Sequence, residues 1–188
     1  MTRTPEVTIV IPTRQRPELL SACVGALTRQ QNAPRFEVIV TVDGPDSGES
    51  AAIRSAVAGH PDFDCTVIEG DPEGPAVARN RAIESARGDL MLLLNDDVVP
   101  DGSLVRTHME AHEALDNDAL VLGSAPWHRP HDESLFDRMV FDTSTVFFYD
   151  TMENADDAKT RDWRFRHAWT LNLSLPPRLA RSVGGFST

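Results

Sequence analysis

Asn95-Asp96-Asp97 ends an unbroken apolar run, Leu90-Met91-Leu92-Leu93-Leu94, and Pro100 stops regular structure soon after. A run of this length and continuity fits a strand buried on both faces. Carboxylates at the C-terminal end of such a strand lie where open α/β sheets bind their ligands. Two adjacent anions there are costly unless a cation is shared between them. A divalent metal carrying a phosphorylated ligand meets that requirement.

Other predicted strand ends deliver polar residues to the same rim. The first gives Pro12-Thr13-Arg14-Gln15-Arg16 and the second gives Asp43-Gly44. Gly74-Pro75 opens a helix that carries Arg79, Asn80 and Arg81 within its first two turns. Parallel strands place their C-terminal ends together, so these segments should converge. Asp43 can accept hydrogen bonds from a base or ribose, and Arg79 can pair with a phosphate. Asp97 can hold Mg²⁺ or Mn²⁺. Opposite unit charges 4 Å apart attract by roughly 4 kcal/mol at an effective dielectric of ~20. The set suits a nucleoside diphosphate.

The elements that must position these residues alternate in type. Strands are expected at Val7–Ile11, Phe36–Val42, Cys65–Glu69, Leu90–Leu94 and Ala119–Leu122. Between them lie helical patterns. Pro17 and Glu18 suit a first turn, and Leu19, Leu20, Cys23, Val24 and Leu27 form one apolar stripe. Glu49–Ala58 forms a second helix. Val77, Ile83 and Ala86 mark a third, closed by Gly88. Asp101 caps a fourth, with Leu104, Val105, Met109 and Leu115 inward. This order predicts an α/β fold with a mostly parallel sheet and helices on both faces. After Gly123 the pattern becomes irregular. Leu135–Tyr149 is helical or mixed, and 150–162 reads as a polar, acidic exposed loop. Trp169–Leu175 reads as a strand and Arg178–Val183 as a short helix.

The bulk numbers restrict the partners. A chain of 188 residues fits one domain with a sizeable core. The net charge of −11 argues against nucleic acid, which rewards phosphate neutralisation. It also means that an anionic ligand needs local arginines or a metal. Cys23 and Cys65 fit no zinc or redox spacing, and Cys23 reads as a reduced core thiol. A cytoplasmic setting is expected. No stretch has the ~18 apolar residues of a membrane span, and the N-terminus has no signal-peptide core.

Four strings now carry a resemblance: Val-Thr-Ile-Val-Ile-Pro-Thr-Arg (7–14), Glu-Val-Ile-Val-Thr-Val-Asp-Gly (37–44), Gly-Pro-Ala-Val-Ala-Arg-Asn-Arg-Ala-Ile (74–83) and Gly-Asp-Leu-Met-Leu-Leu-Leu-Asn-Asp-Asp-Val-Val-Pro (88–100). In order and spacing they resemble the family 2 glycosyltransferases of GT-A fold. Asn172-Leu173-Ser174 and Val183-Gly184-Gly185-Phe186 resemble that family's later segment. The resemblance implies a GT-A-like, Rossmann-type sheet. Residues 1–123 would form the nucleotide-sugar-binding half. Residues 124–188 would form an incomplete acceptor-side subregion of the same domain. It implies transfer of a sugar from a nucleotide-diphosphate sugar to an acceptor hydroxyl, with inversion and with Mg²⁺ or Mn²⁺. Pro12, Thr13 and Arg14 would line the nucleoside pocket, and Asp43 would contact the base. Arg79 and Asn80 would lie near the donor, with Arg79 as its charged contact. Asp96 would face the ribose or the metal, and Asp97 would ligate the metal. Trp169 and Asn172 would stand on the acceptor side. The acceptor would be a carbohydrate, a lipid-linked hydroxyl or another hydroxyl, in polysaccharide or glycoconjugate synthesis. The expected location is the cytoplasm, with a membrane surface as a further partner through peripheral attachment at its inner face.

Two departures stand out. Asn95 occupies a position that is often acidic in the family. The acidic general base expected after Gly-Gly-Phe would fall beyond Thr188, so the catalytic residue is unassigned, and donor binding with little transfer is expected of this stretch. A non-catalytic nucleotide-sugar-binding module and a nucleotidyltransferase remain as alternatives. The second usually has a glycine-rich loop after its first strand, and Pro12–Arg16 has no glycine. Plainer readings also stay open. Asp43-Gly44 can be a turn, Asp96-Asp97 a solvated pair, and Arg79 a surface cation. His108 and His112, four apart on a helix, read as packing or exposed residues rather than metal ligands. His128 and His131 read as loop residues. His167 is a late metal-ligand candidate, and Trp163 or Trp169 could stack on a sugar or fill a core.

Overall fold

A computed structural model describes residues 4–61, 63–115, 118–129, 132–143, 149, 152, 154–155, 163 and 167–188. In chain order the elements are β1 (Val7–Thr13), α1 (Pro17–Leu27), β2 (Phe36–Asp43), α2 (Glu49–Ala56), β3 (Cys65–Gly70) and α3 (Pro75–Ser85). Then come β4 (Leu90–Leu94), α4 (Leu104–Ala114), β5 (Val121–Leu122), α5 (Leu135–Asp142), β6 (Asn172–Leu175) and α6 (Pro177–Ser182). The α/β expectation holds, with a mostly parallel sheet ordered β3-β2-β1-β4-β6-β5.

The parallel strands form because their residues are apolar on both faces. β1 and β4 are buried along their whole lengths. Val7, Ile9 and Ile11 pack with Val38, Val40, Leu92 and Leu94 against Leu20, Cys23, Val24 and Leu27 of α1, with Ile53 of α2 and Val105 of α4. On the opposite face α3 packs on β1 and β2, burying Ala78, Ala82 and Ile83.

Pro12 does not stop β1. The strand continues to Thr13 in register with β2, Pro12 opposite Thr41. The β1–β4 ladder ends at Val10–Leu93. Beyond it β1 is an edge on that side, where a missing N–H is tolerated. Other expected ends shift by one to three residues: α2 ends at Ala56, β3 reaches Gly70, β5 starts at Val121, β6 starts at Asn172, and α6 spans Pro177–Ser182. The helical stripes also differ at their margins. Leu19 and Leu115 are exposed, and α4 buries His108 and His112 beside Val105. Ser103, not Asp101, is the N-cap position of α4, and Asp101 instead accepts from the Ser103 backbone N–H at 2.7 Å.

The larger difference is at β5. A strand after β4 and α4 would be expected beside β4. Instead β6 lies between them, antiparallel to both. All four residues of β6 are buried. A strand covered on both faces satisfies its backbone only with a neighbour on each side. Residues 170–188 therefore return to the compact unit formed by 1–123, and 124–169 form a second unit. Within that second unit Ser134 caps α5, accepting from Asp137 N–H at 3.1 Å while Asp137 Oδ2 accepts from Ser134 N–H at 2.9 Å. The expected loop at 150–162 lies almost wholly outside the described residues, as does His131.

Both thiols are free, and burial pushes Cys23 and Cys65 up to about 12. They stay protonated and unreactive near neutrality. Among the described residues no helix is long and apolar enough to cross a membrane.

Candidate functional site

β1 and β4 are both nearest-neighbour strands and both end at this rim, so their terminal residues meet. Thr13 Oγ donates to Asp96 Oδ2 at 2.8 Å. That bond orients a carboxylate that is 5% exposed. Burial raises the pKa of Asp96; Thr13 and Arg16 oppose the shift, and the charge of Asp97 adds to it. Asp96 is thus an anion held in place yet short of solvation. Asp97, one residue on, keeps about half of its side chain in solvent (48%). The turn that follows is closed by the Val98 N–H donating to the Asn95 carbonyl at 3.3 Å.

A single guanidinium nitrogen stands between the two acids. Arg16 Nη1 lies 3.4 Å from Asp96 Oδ1 and 3.5 Å from Asp97 Oδ2. Arg14 turns the other way, its Nη1 3.6 Å from Asp43 Oδ2. Gln15 between them has φ +53°, a left-handed residue in the turn that separates the two arginines.

At the end of β2, Asp43 is almost wholly buried and braces the start of α3. Its Oδ1 accepts from the Glu73 and Gly74 N–H groups at 2.9 and 3.0 Å. The next residue, Gly44, has φ +121° and donates to the Gly70 carbonyl at 2.8 Å, a conformation that requires glycine. Asp43 therefore ends β2 as an anchored carboxylate, and Gly44 continues as a bridge to Gly70 rather than as a simple turn.

Arg79 is 8% exposed, so it is not a solvated surface cation. Nη2 donates to Asn95 Oδ1 at 2.9 Å and Nη1 to the Pro75 carbonyl at 3.3 Å. Its Nε is buried and has no partner. Burial lowers its pKa, and Asp96 partly restores it. The Phe186 ring lies 5.9 Å from the guanidinium carbon. Asn95 is neutral, so it binds Arg79 without cancelling its charge. The departure noted at Asn95 thus has a structural use.

Two expected site residues are engaged elsewhere. Asn80 grips the Gly-Gly-Phe segment, donating through Nδ2 to the Phe186 carbonyl at 2.9 Å and accepting the Phe186 N–H on Oδ1 at 2.8 Å. Asn172 is buried in β6 and accepts from His108 Nε2 at 2.9 Å. Trp169 lies in the second unit, 5.4 Å from the Tyr149 ring and 5.7 Å from that of His167. His167 Nδ1 donates to the Trp163 carbonyl at 2.5 Å. Pro12 is buried in the sheet just beneath the Thr13–Arg14 rim. Sequence reasoning named Arg16, Asn95 and Phe186 but gave none of them a site role. The signal for Arg16 was its place two residues after Arg14 and directly before the helix-starting Pro17.

The acid pair suits a hard divalent cation. Among the described residues no group of three or more His, Cys, Asp or Glu could hold a metal. An ion at Asp96-Asp97 would therefore draw its other oxygens from a phosphorylated ligand and water, as Mg²⁺ and Mn²⁺ sites commonly do.

The family model described as glycosyl transferase family 2 matches residues 8–168. A validoxylamine A glucosyltransferase of Streptomyces hygroscopicus subsp. limoneus is 30% identical over 204 aligned positions, covering 97% of this chain and 44% of that protein. An uncharacterized glycosyltransferase, YfnE, of Bacillus subtilis (strain 168) is 31% identical over 124, covering 66% of this chain and 31% of that protein. Among solved structures, the mannosyltransferase PcManGT from Pyrobaculum calidifontis, in complex with GDP-Man and Mn²⁺, aligns with TM-score 0.68 and 23% identity over 99% of this chain and 48% of that one. The S. aureus TarS 1-349 complex with UDP-GlcNAc aligns with TM-score 0.65 and 14% identity, over 97% and 48% of the two chains. The structural likenesses show the fold, and the chain spans half or less of these relatives. On the match of the family model over most of its length, the chain belongs to glycosyl transferase family 2.

Proposed function

We propose that this chain binds a nucleotide-diphosphate sugar along the rim formed by Thr13, Arg14, Asp43, Arg79, Asp96 and Asp97. It would deliver the bound sugar to an acceptor hydroxyl with inversion. The observation that carries this reading is the acid pair Asp96-Asp97. It lies at the end of a buried strand, oriented by Thr13 and neighboured by a buried arginine with unspent donor capacity. Mg²⁺ or Mn²⁺ held by Asp97 and Asp96 would neutralise the diphosphate that leaves on transfer. Asp43, already fixed by two backbone donors, presents its remaining lone pairs and Arg14 toward the nucleoside. Arg79 supplies positive charge from a desolvated position, where a phosphate gains more from it than in water. The acceptor hydroxyl belongs to a carbohydrate, a lipid-linked sugar or another glycoconjugate precursor. A lipid-linked acceptor would bring the protein to a membrane surface. Asn80 and Asn172 support the site through Phe186 and His108 rather than through the donor.

The test is isothermal titration of UDP-, GDP- and dTDP-sugars, with and without Mn²⁺, on the wild type and Asp97→Ala. One donor should bind in a metal-dependent manner, and Asp97→Ala should weaken it by about tenfold or more, the loss of one charge-assisted contact. Binding indifferent to both metal and Asp97 would overturn the reading. Arg79→Gln should weaken the same donor with the metal requirement kept.

A further inference from the structure

Arg16 has no place in the donor contacts above, yet it makes the closest charged contact with the acid pair. We infer that Arg16 is the resident cation of Asp96-Asp97, and that a divalent metal binds there by displacing it, which couples metal binding to binding of the nucleoside diphosphate. The inference rests on the proposed donor site. One nitrogen, Nη1, is within 3.4 Å of Asp96 and 3.5 Å of Asp97, the position a cation shared by both carboxylates would take. A metal added with Arg16 in place would set three positive charges against two negative ones. Removing Arg16 with nothing in exchange would leave Asp96, a buried carboxylate, beside a second anion. The two cations therefore exclude one another and one of them is always needed.

The contact is built to exchange. It uses one nitrogen at long distance rather than the bidentate fork that Arg forms with a tightly held carboxylate. Just over half of the Arg16 side chain is exposed (53%), so it moves without disturbing the core. Its backbone is fixed as the N-cap position of α1, before Pro17, so the guanidinium swings from a set pivot. When the metal arrives with a diphosphate, the displaced guanidinium meets a new anion. When the metal arrives alone, it does not. The consequence is positive coupling between metal and nucleotide, originating in this residue. Arg14 is the internal comparison: it neighbours the same loop but pairs with Asp43.

The experiment measures Mn²⁺ binding by the paramagnetic signal of free Mn²⁺, with and without UDP or GDP, for the wild type, Arg16→Gln, Arg16→Lys, Arg14→Gln and Asp97→Ala. Arg16→Gln should bind Mn²⁺ alone about fivefold or more tightly than the wild type, with the enhancement by nucleotide reduced by a similar factor. Arg16→Lys should stay near the wild type. Arg14→Gln should keep the wild-type affinity for Mn²⁺ alone. Unchanged Mn²⁺ affinity in Arg16→Gln, including no detectable binding in either protein, overturns the inference. So does an equal gain in Arg14→Gln, which would trace the effect to the general field. If the wild type binds nucleotide with Mn²⁺ through Asp97 while Arg16→Gln changes nothing, the donor reading stands and only the coupling role falls. If no nucleotide or Mn²⁺ binds the wild type or the variants, the donor reading falls too.

Discussion

Asp96 and Asp97 are neighbours with different surroundings, and their substitutions should differ accordingly. Asp96 is buried, hydrogen-bonded by Thr13 and lifted in pKa by burial, whereas half of Asp97 faces solvent. Asp97→Ala should therefore weaken metal-dependent donor binding by about tenfold or more while leaving thermal stability close to the wild type. Asp43 adds a third case, because its carboxylate also satisfies the Glu73 and Gly74 N–H groups. Asp43→Ala leaves those donors without their partner and should cost about 1–3 kcal/mol of stability. Asp43→Asn keeps an acceptor oxygen and should recover most of that loss. Donor affinity should fall in both, since Asn lacks the negative charge that faces Arg14. Thermal unfolding and calorimetry on the pair separate the two duties. Equal stability of Asp43→Ala and the wild type would refute the bracing role.

At the scale of elements, β6 is joined to α4 by a buried relay. Asn172 Oδ1 accepts from His108 Nε2, so His108 Nδ1 accepts the Ser174 hydroxyl at 2.7 Å, and Ser174 Oγ accepts from His112 Nε2 at 2.8 Å. The relay requires a neutral His108, whose Nδ1 must accept the Ser174 hydroxyl. Burial pushes His108 down to about 4, and burial also lowers His112. An unfolded histidine titrates near ~6.5. Between these values the unfolded chain binds more protons, so stability is fully present above about pH 6.5 and is lost as pH falls toward 4. At 1.36 kcal/mol per unit, His108 alone contributes a loss of up to ~3 kcal/mol. Urea midpoints at pH 7.5, 6, 5 and 4.5 should fall steadily, and His108→Gln should flatten the decline. A flat wild-type profile would contradict a buried neutral His108. The same relay marks what the sequence could reveal. Leu90–Leu94 and Val7–Ile11 announce themselves, because strands buried on both faces are apolar at every position. Arg79 was legible from its place after Gly74-Pro75, and Asp43 from its place at a strand end before Gly44-Pro45. The insertion of β6 between β4 and β5 was not, since that choice is made by pairing across nearly eighty residues of chain. Nor was the capture of Asn80 by Phe186, which depends on how α3 and the segment after α6 pack.

Across the whole sheet, the proposed ligand rim and a tightly bonded Thr8–Glu37–Arg87 cluster occupy opposite ends. The C-terminal rim carries Thr13, Asp43, Asp96 and Asp97. At the N-terminal edge Glu37 accepts from Thr8 Oγ at 2.7 Å and from Arg87 Nε at 2.8 Å, while Gly88 N–H donates to Thr8 Oγ at 2.9 Å. Burial alone would raise the pKa of Glu37, but the bonds from Arg87 and Thr8 win and lower it. This end therefore adds stability that is present above the ordinary Glu range and fades at acid pH, below the window of His108. Gly88 shows how closely the edge is packed: a Cβ there would lie 2.6 Å from the Thr8 nitrogen and 2.7 Å from the Val7 carbonyl carbon, both backbone atoms that cannot rotate away. Gly88→Ala should cost about 1–3 kcal/mol through overpacking. Thr8 and Thr13 are separated along β1 by about 17 Å at the usual rise per residue. Sites that far apart without shared partners act independently. Gly88→Ala should thus lower the unfolding temperature while donor affinity, measured where the variant is folded, stays at the wild-type value. Asp97→Ala should do the reverse, and the double variant should show the sum of both effects. A fall in donor affinity with Gly88→Ala alone would show that strain at one edge of β1 reaches the other, and that the two ends are not separable.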